Sequence, residues 1–174
     1  PRGTEEDVAT KYKYDILGQM IQSEIPQEKE DGSIRYQTTT TEYDNTGNVT
    51  EKEEQIEDDR TAKIEYTYDK QGNLVMVKSC LDEEQAQYVQ YVYDVQGNKV
   101  RQFTGMTEPL TLTVTEVTEV VDDADVFSYA GKTYQLEISG KKKSDDIRET
   151  KYAYDGKNQL ISYTDPEGRT ETYT

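Results

Sequence analysis

The residues best placed for chemistry are acidic and aromatic. Asp122, Asp123 and Asp125 crowd three carboxylates into one short stretch, and a calcium ion is held by several converging oxygens. A solvated acidic loop is the preferred reading of that stretch, with calcium ligation the alternative. The Tyr-x-Tyr pairs Tyr66/Tyr68 and Tyr91/Tyr93 could offer rings on which sugars stack. Their preferred reading is a cross-strand aromatic ladder, in which each pair adds about 0.2–1 kcal/mol and the phenol hydroxyls reach water or backbone. Other chemistries lack their residues. With no His and a single Cys, a Ser/His/Asp triad, a Cys/His dyad and HExxH zinc chemistry have no usual base or ligand. Cys80 alone forms neither an internal disulfide nor a thiolate zinc cage and reads as a small apolar group. The expectation is a non-enzymatic chain with no cofactor and no catalytic residue.

Composition narrows the partners. The 174 residues carry 36 acids against 20 bases, a net charge of −16. Nucleic-acid binding needs cationic surface to displace counterions, and the one basic cluster, Lys141-Lys142-Lys143, reads as a loop tip. No apolar run approaches the roughly 18 residues of a membrane span. Pro1-Arg2-Gly3-Thr4 reads as a cut edge and not as a signal peptide. Leu, Ile, Val and Phe fall under one fifth of the chain, which with high charge usually flags disorder. Fifteen tyrosines argue against that, since Tyr at alternate positions can supply the apolar surface that the aliphatics do not.

The elements that position these residues are repeated turns. YDILGQM (Tyr14–Met20), YDNTGNV (Tyr43–Val49), YDKQGNL (Tyr68–Leu74), YDVQGNK (Tyr93–Lys99) and YDGKNQL (Tyr154–Leu160) share one pattern, and DPEGR (Asp165–Arg169) keeps its Asp and Gly. In a three-residue hairpin loop, a type I turn followed by a left-handed residue, the left-handed site suits Gly and tolerates Asn. Gly18, Gly47, Gly72, Gly97 and Asn158 hold that site. Asp15, Asp44, Asp69, Asp94 and Asp155 then close Asx-turns on backbone N–H groups. In the third copy this register sets Asp69 opposite Asn73, Tyr68 opposite Leu74 and Tyr66 opposite Met76. In the fourth it sets Tyr93 opposite Lys99 and Tyr91 opposite Arg101, a cation–π ladder. The lead-in strands alternate with period two, Ala62, Ile64, Tyr66 and Tyr68 against Lys63, Glu65 and Thr67. Between copies lie acidic turns at Glu30–Ser33, Glu57–Arg60, Leu81–Glu84 and Gly140 through Asp146.

An insertion from Met106 to Asp146 separates the fourth copy from the fifth and stays β in character. Leu110 through Thr115 alternates strictly, the apolar phase flips at Val117 and Val121 as at a bulge or bend, and Ala130-Gly131-Lys132 forms a second tight hairpin. The whole chain, residues 1–174, reads as one domain. Its fold class is all-β: an antiparallel meander of repeated hairpins, curved and open, with near-zero helix.

These turns, with the Tyr-x-Tyr-Asp lead-ins and the ending Tyr-Thr-Asp-Pro-Glu-Gly-Arg-Thr (Tyr163 to Thr170), resemble the YD repeats of the Rhs (rearrangement hotspot) family. That family occurs in bacterial wall-associated proteins, polymorphic toxins, Tc insecticidal toxins and animal teneurins. The resemblance implies a surface or secreted bacterial protein in which long arrays wind a β-sheet into a shell around a further domain. It also implies that the partners are the rest of the parent protein and the enclosed domain, and that the repeats hold no catalytic residue. This chain has too few copies to close such a shell and reads as part of a longer array; a carbohydrate or wall-polymer binding module is the alternative. The charge fits such a part, because open sheet edges invite pairing and like charge discourages it. The same repulsion opposes folding, so stability is expected to rise with salt.

Overall fold

The computed structural model describes residues 8–57, 60–80, 86–122, 124–139 and 147–174. Among them there is no helix. The strands are β1 (Lys11–Tyr14), β2 (Met20–Glu28), β3 (Ile34–Tyr43), β4 (Val49–Glu57), β5 (Arg60–Tyr68), β6 (Leu74–Cys80), β7 (Ala86–Tyr93), β8 (Lys99–Met106), β9 (Thr111–Val117), β10 (Val126–Tyr129), β11 (Lys132–Ser139), β12 (Arg148–Tyr154), β13 (Leu160–Thr164) and β14 (Thr170–Thr172). β1 to β8 followed by β12 to β14 make an open 11-stranded meander in chain order, and the insertion forms a three-stranded sheet in the order β10-β11-β9. The fold is thus the expected all-β antiparallel meander. Among the described residues one compact unit runs to Tyr66 and takes in Ser79 and Cys80; the other holds Thr67–Lys78 and the chain from Ala86 onward.

The first unit is a polar sheet. Its buried residues are Ser23 and Thr41, so ladder hydrogen bonds and cross-strand side-chain pairs do the work that a core does elsewhere. Lys63 on β5 reaches Glu51 on β4 at 2.8 Å and lies within 3.7 Å of Glu53 and 3.6 Å of Glu65. The Arg35 guanidinium donates to the Gln55 and Ile56 carbonyls. Along β5 the expected two-faced burial is muted, since Ala62 through Tyr66 are all half-buried.

The second unit has a core, and its members are mostly not the repeated tyrosines. Val92, Val100, Phe103, Met106, Leu110, Phe127, Tyr134 and Leu136 are buried together. Successive strand residues point to opposite faces, so Val92 and Gln90 on β7 face the inserted sheet while Tyr91 and Tyr93 face away from it. The tyrosines that do meet the core, Tyr134 within it and Tyr88 and Tyr129 against it, lie outside the Tyr-x-Tyr pairs. The sequence leaves open which way the paired tyrosines face, and in this unit the core is made instead by aliphatics and Phe gathered from the fourth hairpin and the insertion.

A bulge in the returning strand explains a second difference. Tyr93 stands opposite Lys99 as expected, but Val92 stands opposite Arg101 and Tyr91 opposite Gln102. The same step occurs in the first, second and fifth hairpins, where Lys13 faces Gln22, Glu42 faces Glu51 and Ala153 faces Ser162. One extra residue beside the turn, Val100 in the fourth hairpin, exchanges the faces of everything after it. Arg101 consequently leaves the tyrosine face and enters the core side. In the insertion, β9 ends at Val117 and a bend follows, where the apolar phase was seen to change.

Candidate functional site

The Tyr-Asp turns share one construction. In each, the Asp N–H donates to the carbonyl four residues on, and the N–H of the left-handed residue returns to the Asp carbonyl: Asp94 to Asn98 at 2.9 Å and Gly97 to Asp94 at 3.1 Å. Gly18, Gly47, Gly72 and Gly97 have φ between 82° and 92°, and Asn158 has 62°. One carboxylate oxygen of each Asp accepts two backbone N–H groups, from Leu17 and Gln19 at Asp15, Thr46 and Asn48 at Asp44, Gln71 and Asn73 at Asp69, Gln96 and Asn98 at Asp94, and Lys157 and Gln159 at Asp155. Asp165 repeats the arrangement with Glu167 and Arg169. Hydrogen bonds to the ionised form favour it. Bonds from Thr46 and Asn48 hold Asp44 well below the usual carboxylate range, and backbone N–H groups of Gln159 and Lys157 lower Asp155. One oxygen of each carboxylate is thus turned to its own loop, and Asp165 gives its second oxygen to the Arg169 guanidinium.

The Tyr of the motif reaches the neighbouring hairpin. Tyr43 donates its hydroxyl to the Met20 carbonyl at 3.0 Å, and Tyr93 donates to the Leu74 carbonyl at 2.9 Å. Met20 and Leu74 hold the same place, the apolar position that ends the previous motif. Neighbouring turns also touch side by side. Asn98 Nδ2 donates to Asn158 Oδ1 at 3.1 Å, and a Cβ on Gly97 would lie 3.3 Å from Asn73 Oδ1. Burial raises the Tyr91 and Tyr93 phenols above their ordinary value, so both remain donors at neutral pH. Lys99 Nζ lies 5.4 Å from the Tyr91 ring and 4.7 Å from the Tyr152 ring, and Tyr152 packs on Tyr163 with centroids 5.5 Å apart. The tyrosine face of this unit is therefore capped by a cation. Tyr66 and Tyr68 are half-buried on β5, while Tyr14 is 59% exposed on the edge strand β1.

The acidic stretch divides. Asp122 is exposed, Asp123 lies outside the described residues, and Asp125 turns inward. Arg101, 4% exposed, donates to Asp125 Oδ1 at 2.6 Å and to the Val126 carbonyl at 3.1 Å, with the Phe127 ring 5.7 Å away. Lys151 Nζ stands 3.4 Å from Asp125 and 3.6 Å from Glu149. Glu149 Oε1 is 3.4 Å from Arg101 Nε but has no hydrogen-bond partner among the described residues. Burial works to raise the Asp125 carboxyl, yet Arg101 and then Lys151 hold it below its ordinary value. Glu149 is carried above its own by burial, with the Asp125 charge adding to this against the pull of Lys151. Among the described residues no group of three or more His, Cys, Asp or Glu side chains could hold a metal ion. Lys141, Lys142 and Lys143 lie outside the described residues, as do the acidic turns at 58–59, 81–85 and 140–146.

A groove of about 770 Å³ lies in the second unit, between β9 and the third and fourth Tyr-Asp turns. Leu112, Val114, Val75, Met76 and Val92 give it apolar walls, with Asp69 and Asp94 at its turn end. Gln90, 9% exposed, fixes its inner corner by bonding both backbone groups of Leu110. Neither Gln90 nor Arg101 was singled out by the sequence as a site residue. The only local signal was a polar residue within an otherwise apolar strand phase, Gln90 before Val92 and Arg101 beside Val100 and Phe103.

The model of a family described as "Protein of unknown function (DUF1329)" matches residues 9–159. The chain belongs to that family. No curated protein matches it. Two solved structures are similar at low identity. One is the crystal structure of TcdB2-TccC3-Cdc42, 13% identical, with a TM-score of 0.46 over 94% of this chain and 8% of that one. The other is a Tc holotoxin pore of Photorhabdus luminescens with a mutated TccC3, 14% identical, with a TM-score of 0.45 over 90% of this chain and 10% of that one. This member of the family therefore spans a tenth or less of the chains it is similar to. No helix among its described residues is long and apolar enough to cross a membrane.

Proposed function

We propose that the chain is a non-catalytic structural repeat region of a surface or secreted bacterial protein, a length of β-sheet wall that encloses or displays another domain, such as a toxin. The observation that carries this reading is the phenol of one hairpin donating to the carbonyl that ends the previous motif, at Tyr43 to Met20 and at Tyr93 to Leu74. Each of these two hairpins thus holds the fitting for the one before it, and a sheet so built lengthens by repetition, as repeat proteins do. The resemblance of the Tyr-Asp turns to YD repeats supports the same reading and supplies the extracellular setting. Its partners are then the rest of the parent protein and the domain behind the wall.

Limited proteolysis of the parent protein tests this. The enclosed domain should resist cleavage and become cleavable in a Tyr43→Phe, Tyr93→Phe double variant. Equal cleavage of both proteins would refute the wall reading, as would a hydrolytic activity abolished by substituting Asp125 and Glu149. Glycan binding through the Tyr rows has less to work with, because Lys99 already stands over two of the rings. Polysaccharide pull-down that depends on Tyr66 and Tyr68 would favour it instead.

A further inference from the structure

Among the described residues the three-stranded sheet, in the order β10-β11-β9, leaves one side of β9 open. Thr111, Thr113, Thr115 and Val117 stand opposite Ser139, Glu137, Gln135 and Thr133 on β11. On β11 itself, Leu136 sends its N–H away from β9, to the Asp125 carbonyl at 2.8 Å. The N–H and C=O of a strand residue point to one side and alternate along the chain. Thr115, opposite Gln135, therefore bonds toward β11, and Leu112, Val114 and Glu116 direct their backbone groups outward.

Leu110, two residues before Leu112, shows what that outward side accepts. Its N–H donates to Gln90 Oε1 at 2.6 Å, and its carbonyl accepts from Gln90 Nε2 at 3.0 Å. A side-chain amide has both groups of a peptide, so Gln90 makes at Leu110 the pair of bonds that a neighbouring strand would make. Beyond that point the described residues supply no backbone partner for Leu112 or Val114. Both side chains line the 770 Å³ groove, Val114 at 41% exposure, and the charged groups among its lining residues are two acids, Asp69 and Asp94.

We propose that this groove binds an extended segment of a partner protein by strand addition to β9, the segment alternating apolar and polar residues and carrying Lys or Arg at its ends. Its backbone continues the pairing that Gln90 begins at Leu110. Alternate apolar side chains enter between Val114 and Met76, and a basic end meets the carboxylates of Asp69 and Asp94. Backbone bonds supply affinity in such complexes and the pockets for alternate side chains supply selectivity. The proposal uses no repeat-to-repeat contact and so stands apart from the wall reading.

The test is titration of the nitrogen-15-labelled chain with a capped heptapeptide, Lys-Val-Thr-Val-Thr-Val-Lys, and with its Glu-ended counterpart. The Lys-ended peptide should give saturable amide shifts at Leu112, Val114, Glu116 and Met76, and the Glu-ended one should bind about tenfold more weakly or worse. Val114→Pro removes an outward N–H on an edge where Pro is tolerated and should weaken binding by a similar factor. Val114→Lys, which keeps the backbone and adds a repelling charge, should do the same and reverse the preference between the peptides. Absence of saturable shifts on β9, equal binding of the two peptides, or unchanged binding by both variants would overturn the proposal.

Discussion

Removing one turn carboxylate gives the sharpest check on how this sheet is held. Asp94, 8% exposed, accepts from the Gln96 and Asn98 N–H groups and from Asn98 Nδ2, each at 2.9 Å. A net hydrogen bond contributes about 0.5–1.5 kcal/mol, more with a charged acceptor, and leaving a buried donor unmade costs about 1–3 kcal/mol. Asp94→Ala removes all three bonds and strands two backbone donors in a part-buried turn. Water reaches some of them, so the loss should be about 3 kcal/mol. Asp94→Asn keeps one oxygen for both backbone N–H groups and sets its own amide against Asn98, whose amide can rotate to offer oxygen; its loss should be about 1 kcal/mol. Urea denaturation followed by circular dichroism measures both, and the slope against denaturant should match wild type if only the folded state is affected. For a chain of this size 3 kcal/mol corresponds to a fall in Tm of about 6–12 °C. An Asp94→Ala midpoint within about 0.5 kcal/mol of wild type would show that the turn does not depend on its carboxylate. An Asn variant as damaged as the Ala one would show that charge, and not acceptor geometry, is what matters.

Four further outcomes are expected. Tyr43→Phe and Tyr93→Phe should each lose about 1 kcal/mol, whereas Tyr14→Phe, at an exposed ring on β1, should be neutral by the same denaturation measurement. Ala130, at φ 49° before Gly131 at 77°, strains a turn that prefers Asn-Gly, so Ala130→Asn should raise stability by about 0.5–1 kcal/mol in thermal melts. Because the folded-state value of Glu149 is raised above its ordinary 4.5, its contribution is fully present below pH 4.5 and lost as pH rises through the folded value. Glu149→Gln should therefore flatten that decline in stability–pH curves, and parallel curves for the two proteins would refute the assignment. Finally, midpoints should rise with NaCl, as a net charge of −16 requires if self-repulsion dominates over the ion pairs.

The legible parts of this fold are the local ones. A Tyr-Asp turn is decided within seven residues, by a left-handed site that wants Gly or Asn and by an Asp that can reach its own backbone. Tyr14–Met20 and Tyr154–Leu160 therefore display it in sequence as plainly as in space. The bulge is also local, but its residue does not announce it: Ile21, Thr50, Val100 and Ile161 are all β-branched, and β-branched residues are common throughout strands. One unannounced residue is enough to move Arg101 from the tyrosine face to the core. What the core and the groove need is longer range still. Gln90 meets Leu110 across 20 positions, and Arg101 meets Asp125 across 24. No periodicity in either segment foretells its partner, and Asp125 looks like one more solvated acid until Arg101 is brought beside it.

The side-by-side contact of the turns sets different rules for the two ends of each hairpin. At the Tyr-Asp end Gly97 leaves only 3.3 Å between a would-be Cβ and Asn73, and Asn98 is joined to Asn158, so a lengthened loop there would strike its neighbour. At the opposite end, between β8 and β12, the chain already carries a three-stranded sheet between Met106 and Arg148. Foreign sequence, whether an affinity tag, a fluorescent reporter or a grafted epitope, belongs at that end, where the meander has already accommodated a sheet of its own.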